Sequence, residues 1–207
     1  SSDPDQTGYF VLTIPNILTV TRLALAPVFI LLFVTEGTGP ALAALLVAVT
    51  FEVTDLLDGY IARNYDQVSA LGKLIDPLAD SVARFSVFLA FITESTVRGQ
   101  PWPVLLVALI FYRDATVAYT RIFAASTGVV LAARFSGKVK AFAQGFGIIT
   151  FLTVRALSHF YPSLKPYRPV VFYWVMVPIV ILTAWSAIDY VSSNRGAIAA
   201  MARHEEE

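Results

Sequence analysis

Six long apolar stretches constrain this 207-residue chain more than anything else in it: Ile17–Thr35, Ala41–Ala62, Leu71–Thr93, Pro103–Ala125, Val139–Phe160 and Val170–Val191. Each is close to the roughly 20 apolar residues that a helix needs to cross the hydrocarbon core of a bilayer. Only 14% of the residues are charged, against about 25% in soluble domains, and a soluble domain of this size has too little interior to hide so much apolar surface. The expected fold is therefore all-α, a polytopic membrane protein with six transmembrane helices forming one domain over residues 1–207. Thr7–Ile14 reads as a short N-terminal interfacial segment anchored by Tyr9 and Phe10, and residues 1–8 and 202–207 are expected to be unstructured. The polar start, Ser1–Gly8, lacks the basic region of a secretory signal, so no cleavable leader is expected.

The breaks between spans carry loop residues: Glu36–Pro40, Arg63–Ser69, Arg98–Pro101, Ser126–Gly137 and Tyr161–Pro169. Six spans put both termini on one side. That side receives Arg22, Arg63, Lys73, Arg134, Lys138, Lys140, Arg195 and Arg203, and the other only Arg98, Lys165 and Arg168. The excess of Lys and Arg marks the first side as cytoplasmic; the expected location is a prokaryotic cell membrane. Trp102 and Phe172–Trp174 suit the aromatic belt of the opposite interface.

A formal net charge of zero gives no basic field to attract nucleic acid. The absence of cysteine excludes disulfides and thiolate metal sites. The two histidines, His159 and His204, are too far apart in the chain to suggest a cluster, so any metal chemistry must rest on carboxylates.

Charges inside spans are costly and mark functional candidates. Asp55 and Asp58, with Gly59, Ala62 and Arg63, stand near the end of the second span, and Gly72, Asp76 and Asp80 near the start of the third. Helical spacing puts Asp55, Asp58 and Ala62 on one face, and Gly72, Asp76 and Asp80 on another. The connection between the spans is short, so the two helices are expected to be antiparallel neighbours whose four carboxylates converge. Such a set repels itself unless cations neutralise it. Hard oxygen ligands suit Mg²⁺ or Mn²⁺, and two such ions about 4 Å apart clamp a phosphoryl group. Gly59, Ala62 and Gly72 would let a bulky substrate approach the backbone, and Arg63 can pair with a phosphate oxygen.

The run from Asp55 to Asp80 fits the pattern Asp-x2-Asp-Gly-x2-Ala-Arg-x8-Gly-x3-Asp-x3-Asp at every fixed position. In this the chain resembles the CDP-alcohol phosphatidyltransferase family. The resemblance implies six membrane helices, a homodimer and a two-metal site facing the cytoplasm. It also implies transfer of a phosphatidyl group from CDP-diacylglycerol to an alcohol with release of CMP. Asp55, Asp58 and Asp76 would then be metal ligands, Asp80 both ligand and general base, and Gly59, Ala62, Arg63 and Gly72 the lining of the CDP site. Ile14–Thr19 with Arg22 and Pro27, the pair Arg113–Asp114, and Gly137–Lys140 with Gln144 resemble the phosphatidylglycerophosphate synthases of that family, whose acceptor is glycerol 3-phosphate. The chain departs from them at Ser81, where lysine is usual, at Arg84, and at Asp114, where glutamate is usual.

Arg134, Lys138 and Lys140 gather at the junction of the fourth and fifth spans, and Arg113 and Arg121 share a face of the fourth. They read either as ordinary cytoplasmic charges or as an anion pocket for the phosphate of the acceptor. Arg113–Asp114 suits an internal ion pair or a substrate role. Glu52, one turn from Asp55, reads either as tuning the site or, by preference, as bonded to a neighbouring helix, Arg155 as snorkelling or paired internally, and Asp189 as a solvated helix end. Gly145 and Gly147 read as points of close helix packing. The rivals are a phosphatidylinositol phosphate synthase, another CDP-alcohol phosphotransferase, and an ion transporter. A transporter is disfavoured because no internal repeat is visible.

Overall fold

The computed structural model describes residues 14–64, 70–94, 97–126 and 134–204. The expected interfacial segment lies outside these residues apart from Ile14, which opens the first helix. The elements are α1 (Ile14–Val34), α2 (Thr38–Asn64), α3 (Ala70–Phe91), α4 (Pro101–Ser126), α5 (Phe135–Phe160) and α6 (Arg168–His204), with a short 3-10 turn, Pro162–Tyr167, before α6. There is no strand among the described residues.

Every expected span is helical, but two ends differ. Helix α5 begins at Phe135, inside the expected loop, and α6 runs to His204 instead of stopping at Val191. The apolar pattern ends near Val191, yet the Ala-rich sequence beyond it still favours helix in water. Among the described residues, five helices are long and apolar enough to cross a membrane. Helix α3 is not among them, since Lys73, Asp76, Asp80 and Arg84 interrupt its apolar run. Between α1 and α2 the chain turns at Gly37, whose φ of 127° suits a residue without a side chain.

Helix α1 packs against both α2 and α3, α5 against α2 and α6, and α4 against α6 more than against α3. Contact between α2 and α3 is slight. This corrects the expectation of direct neighbours. Their facing sides carry Glu52, Asp55 and Asp80, which meet across a guanidinium rather than interlocking apolar side chains. The apolar core lies further along α3, where Phe33, Phe91, Phe151 and Phe172 are buried. The Phe91 ring stands 4.7 Å from that of Phe151 and 5.6 Å from that of Phe33. Phe172 thus belongs to the core and not to an interfacial belt, because its ring faces inward onto Phe151. Trp102 and Trp174 are exposed, as anchors would be.

A buried polar cluster closes this end of the bundle. Arg155 donates through Nε to Glu94 at 3.2 Å and through a terminal nitrogen to the Phe33 carbonyl at 2.7 Å, while Arg168 bonds the other Glu94 oxygen. Arg155 is therefore paired internally, and the cluster joins the ends of α1, α3, α5 and α6.

The α5–α6 contact depends on Gly147. A Cβ there would stand 2.7 Å from Val175 Cγ1 and 2.8 Å from Ile179 Cδ1. Gly147→Ala is expected to destabilise the protein by about 1–3 kcal/mol through overpacking, seen as a lower melting temperature in detergent. An unchanged melting temperature would mean that Val175 and Ile179 yield without cost.

Candidate active site

The signature residues fall on the two helices that α1 holds together. Asp55 lies two-thirds of the way along α2 and Asp80 at mid-length in α3, each with its side chain about two-fifths exposed. The side chains of Asp58, Gly59, Ala62, Arg63, Gly72 and Asp76 lie outside the described set, although all six positions are helical. Of the four expected carboxylates, two are thus placed in space. Among the described residues no group of three His, Cys, Asp or Glu side chains is arranged to hold a metal ion.

Two arginines organise the placed carboxylates. Arg22 of α1 is buried and donates to Asp55 Oδ1 at 3.0 Å. Arg84, one turn beyond Asp80, donates through Nε to Asp80 Oδ1 at 2.8 Å. Its terminal nitrogens stand 3.6 Å from Glu52 Oε1 and 3.9 Å from Asp55 Oδ2, and one of them donates to the Ala141 carbonyl of α5 at 3.3 Å. One guanidinium therefore lies between carboxylates of α2 and α3 and touches α5. Glu52 lies against Gly145 of α5, where a Cβ would come within 2.8 Å of its Cδ. Glycine at 145 makes room for this carboxylate, and the close-packing expectation for Gly145 and Gly147 holds.

The two arginines extend the site beyond the signature. The sequence marks Arg22 as a cytoplasmic charge and as part of the family-like opening, and names no contact for it. Its position inside an apolar span, where an unpaired charge is costly, was a usable signal. The spacing of Arg84 to Asp80, four residues on a helix, was a second.

The basic candidates meet different partners. Lys140 donates to both Asp114 oxygens, at 2.6 and 2.7 Å, and Arg113 to Asp114 Oδ1 at 3.1 Å. This triad ties α4 to α5, close enough to Arg84 for the charges of Lys140 and Arg84 to interact. Arg134 bonds Asp189 at 3.1 and 3.3 Å, Ser136 donates to the same carboxylate, and Arg121 lies over the Tyr190 ring at 5.6 Å. Asp189 is thus paired, at a partly exposed position of α6, with Arg134 and Ser136. Lys138 is exposed. Gln144, one turn beyond Lys140, is fully buried with neither amide atom hydrogen-bonded. Between α3 and α4 runs a largely apolar groove of about 250 Å³, with Ser81, Arg84 and Asp114 along its polar side.

Two carboxylates at signature positions meet one guanidinium inside a bundle of apolar helices. The family model for CDP-alcohol phosphatidyltransferase matches residues 12–185. A CDP-diacylglycerol--glycerol-3-phosphate 3-phosphatidyltransferase of Escherichia coli is 30% identical over 185 residues, which is 88% of this chain and 94% of that protein. Its namesake from Rickettsia bellii is 34% identical over 135 residues, 65% of this chain and 72% of that protein. The chain belongs to the CDP-alcohol phosphatidyltransferase family.

Proposed function

We propose that this protein transfers the phosphatidyl group of CDP-diacylglycerol to glycerol 3-phosphate, releasing CMP, at a site on the cytoplasmic face of a homodimeric, six-span membrane enzyme. The observation that carries the reading is the meeting of Asp55 and Asp80, both at signature positions, on either side of one guanidinium. The acceptor follows the two relatives, whose names specify glycerol 3-phosphate. The sidedness rests on the Lys and Arg bias, the homodimer on the family resemblance, and the sixth span on the 22-residue length of α3, about 33 Å of helix.

The placed side chains fit divalent cations. Their donors are hard carboxylate oxygens, and the space between them already favours positive charge. Asp55 and Asp80, with Asp58 and Asp76, would hold Mg²⁺ or Mn²⁺. Such ions would supply the charge that binds the diphosphate and eases departure of CMP. Asp80 accepts the proton of the acceptor hydroxyl. The freed oxygen attacks the phosphorus that bears diacylglycerol, the bond from that phosphorus to the CMP oxygen breaks, and CMP leaves. Arg22 holds one oxygen of Asp55, and Arg84 one oxygen of Asp80, fixing each carboxylate. Placement near the membrane surface lets the lipid tails stay in the bilayer while nucleotide and acceptor meet in water.

The acceptor assignment is tested by offering the purified protein glycerol 3-phosphate, inositol phosphate and free inositol with CDP-diacylglycerol. CMP release with glycerol 3-phosphate is expected, and preference for either inositol compound would overturn the assignment. Lys138, exposed in the first turn of α5, is assigned to the acceptor phosphate. A lost charge-assisted contact of about 1.5–3 kcal/mol should raise the Michaelis constant for glycerol 3-phosphate by about tenfold or more in Lys138→Ala. The constant for CDP-diacylglycerol should change little. Equal effects on both substrates would remove Lys138 from the acceptor site.

A further inference from the structure

We infer that Arg84 is a resident cation of the carboxylate site, bridging Asp80 and Asp55 when no divalent ion is bound and withdrawing to Glu52 when one binds. The inference rests on the proposed divalent-cation site and adds a device that the reaction itself does not require. The contacts of Arg84 are unequal. The bond to Asp80 is short, at 2.8 Å, while Asp55 and Glu52 stand at 3.9 and 3.6 Å. Carboxylates gathered at one partly exposed site repel one another, and Arg22 and Arg84 offset that repulsion. A guanidinium cannot release its proton at any ordinary pH, so Arg84 cannot give way to a metal ion by becoming neutral. It has to move, and it has to stay paired as it moves.

Glu52 supplies the place. It lies outside the aspartate signature, so a cation held by the aspartates leaves it unclaimed. Its carboxylate is kept beside Arg84 by the missing side chain at Gly145. The Ala141 carbonyl, 3.3 Å from the same guanidinium nitrogen that faces Glu52, gives a second acceptor on that side. A cavity of about 10 Å³, bordered by Arg22, Glu52, Asp80 and Arg84, leaves slack at this point. It is roughly the room of one water molecule. Glu52 and Arg84 also cancel in charge, so the pair adds no net charge to the four aspartates.

The test is Mn²⁺ binding to the purified protein without substrates, followed by electron paramagnetic resonance, with melting temperatures in EDTA and in saturating Mn²⁺. Arg84→Met should bind Mn²⁺ about tenfold or more tightly than the unaltered protein, since the competing charge is gone. It should melt lower in EDTA, with the deficit largely removed by Mn²⁺. Arg84→Lys, which keeps the charge but presents a single compact ammonium, should bind with intermediate affinity and guards against misfolding of the first variant. Glu52→Gln should bind Mn²⁺ more weakly, and this effect should vanish in the Arg84→Met background. Unchanged or weaker binding in both Arg84 variants would overturn the resident-cation role and leave the divalent-cation site standing. Failure of the unaltered protein to bind Mn²⁺ would overturn both.

Discussion

Asp80→Asn is expected to lower turnover by about a hundred- to ten-thousandfold, the range spanned by loss of a general base, while CDP binding falls far less. The exchange is nearly isosteric, and the amide oxygen can still accept from Arg84 Nε, which now stands 2.8 Å from the carboxylate. The geometry of α3 is therefore kept and the proton acceptor is lost. The loss should appear in kcat, with the Michaelis constant for CDP-diacylglycerol changed little. Asp55→Asn should behave differently, because its carboxylate is proposed as a ligand and not as the base. There, nucleotide affinity and turnover should fall together. Steady-state CMP release and equilibrium binding of CDP separate the two variants. Turnover in Asp80→Asn within tenfold of the unaltered protein would show that another group takes the proton.

Glu94→Ala should be the most destabilising single substitution outside the active site. Glu94 is buried and holds two buried guanidiniums, Arg155 at 3.2 Å and Arg168 on its other oxygen. Removing it leaves both arginines charged without their shared counter-ion. Breaking a buried pair in this way costs about 3–5 kcal/mol, or roughly a 6–20 °C fall in melting temperature for a chain of this size. Because Glu94 lies past the end of α3, fourteen residues beyond Asp80, activity at low temperature should survive. A melting temperature equal to that of the unaltered protein would mean that the Phe33 carbonyl and ring already satisfy Arg155 without Glu94.

The helices were legible because each is an apolar run of span length, and the signature aspartates because their spacing is fixed by covalent order. What the pattern could not supply was partnership. Helical periodicity tells which residues share a face but not which helix that face meets, so the placement of α1 against both α2 and α3 was not foreseen. Arg22 and Asp189 read as charges near helix ends, and Arg134 as either such a charge or part of an anion pocket, and none of these readings names a protein partner. In the fold Arg22 bonds Asp55, and Arg134 bonds Asp189. The basic residues of α4 and α5 looked like one strip for a similar reason. Asp114 and Asp189, on different helices, draw them into two clusters.

The most direct measurement supplies the purified protein, in detergent or lipid nanodiscs, with CDP-diacylglycerol and glycerol 3-phosphate and quantifies CMP together with the lipid product. CMP and phosphatidylglycerophosphate should appear in equal amounts, stop on addition of EDTA, and resume when excess Mg²⁺ or Mn²⁺ is restored. Full turnover in EDTA would contradict the carboxylate-held cation site. Absence of CMP under all these conditions would contradict the phosphatidyl transfer itself.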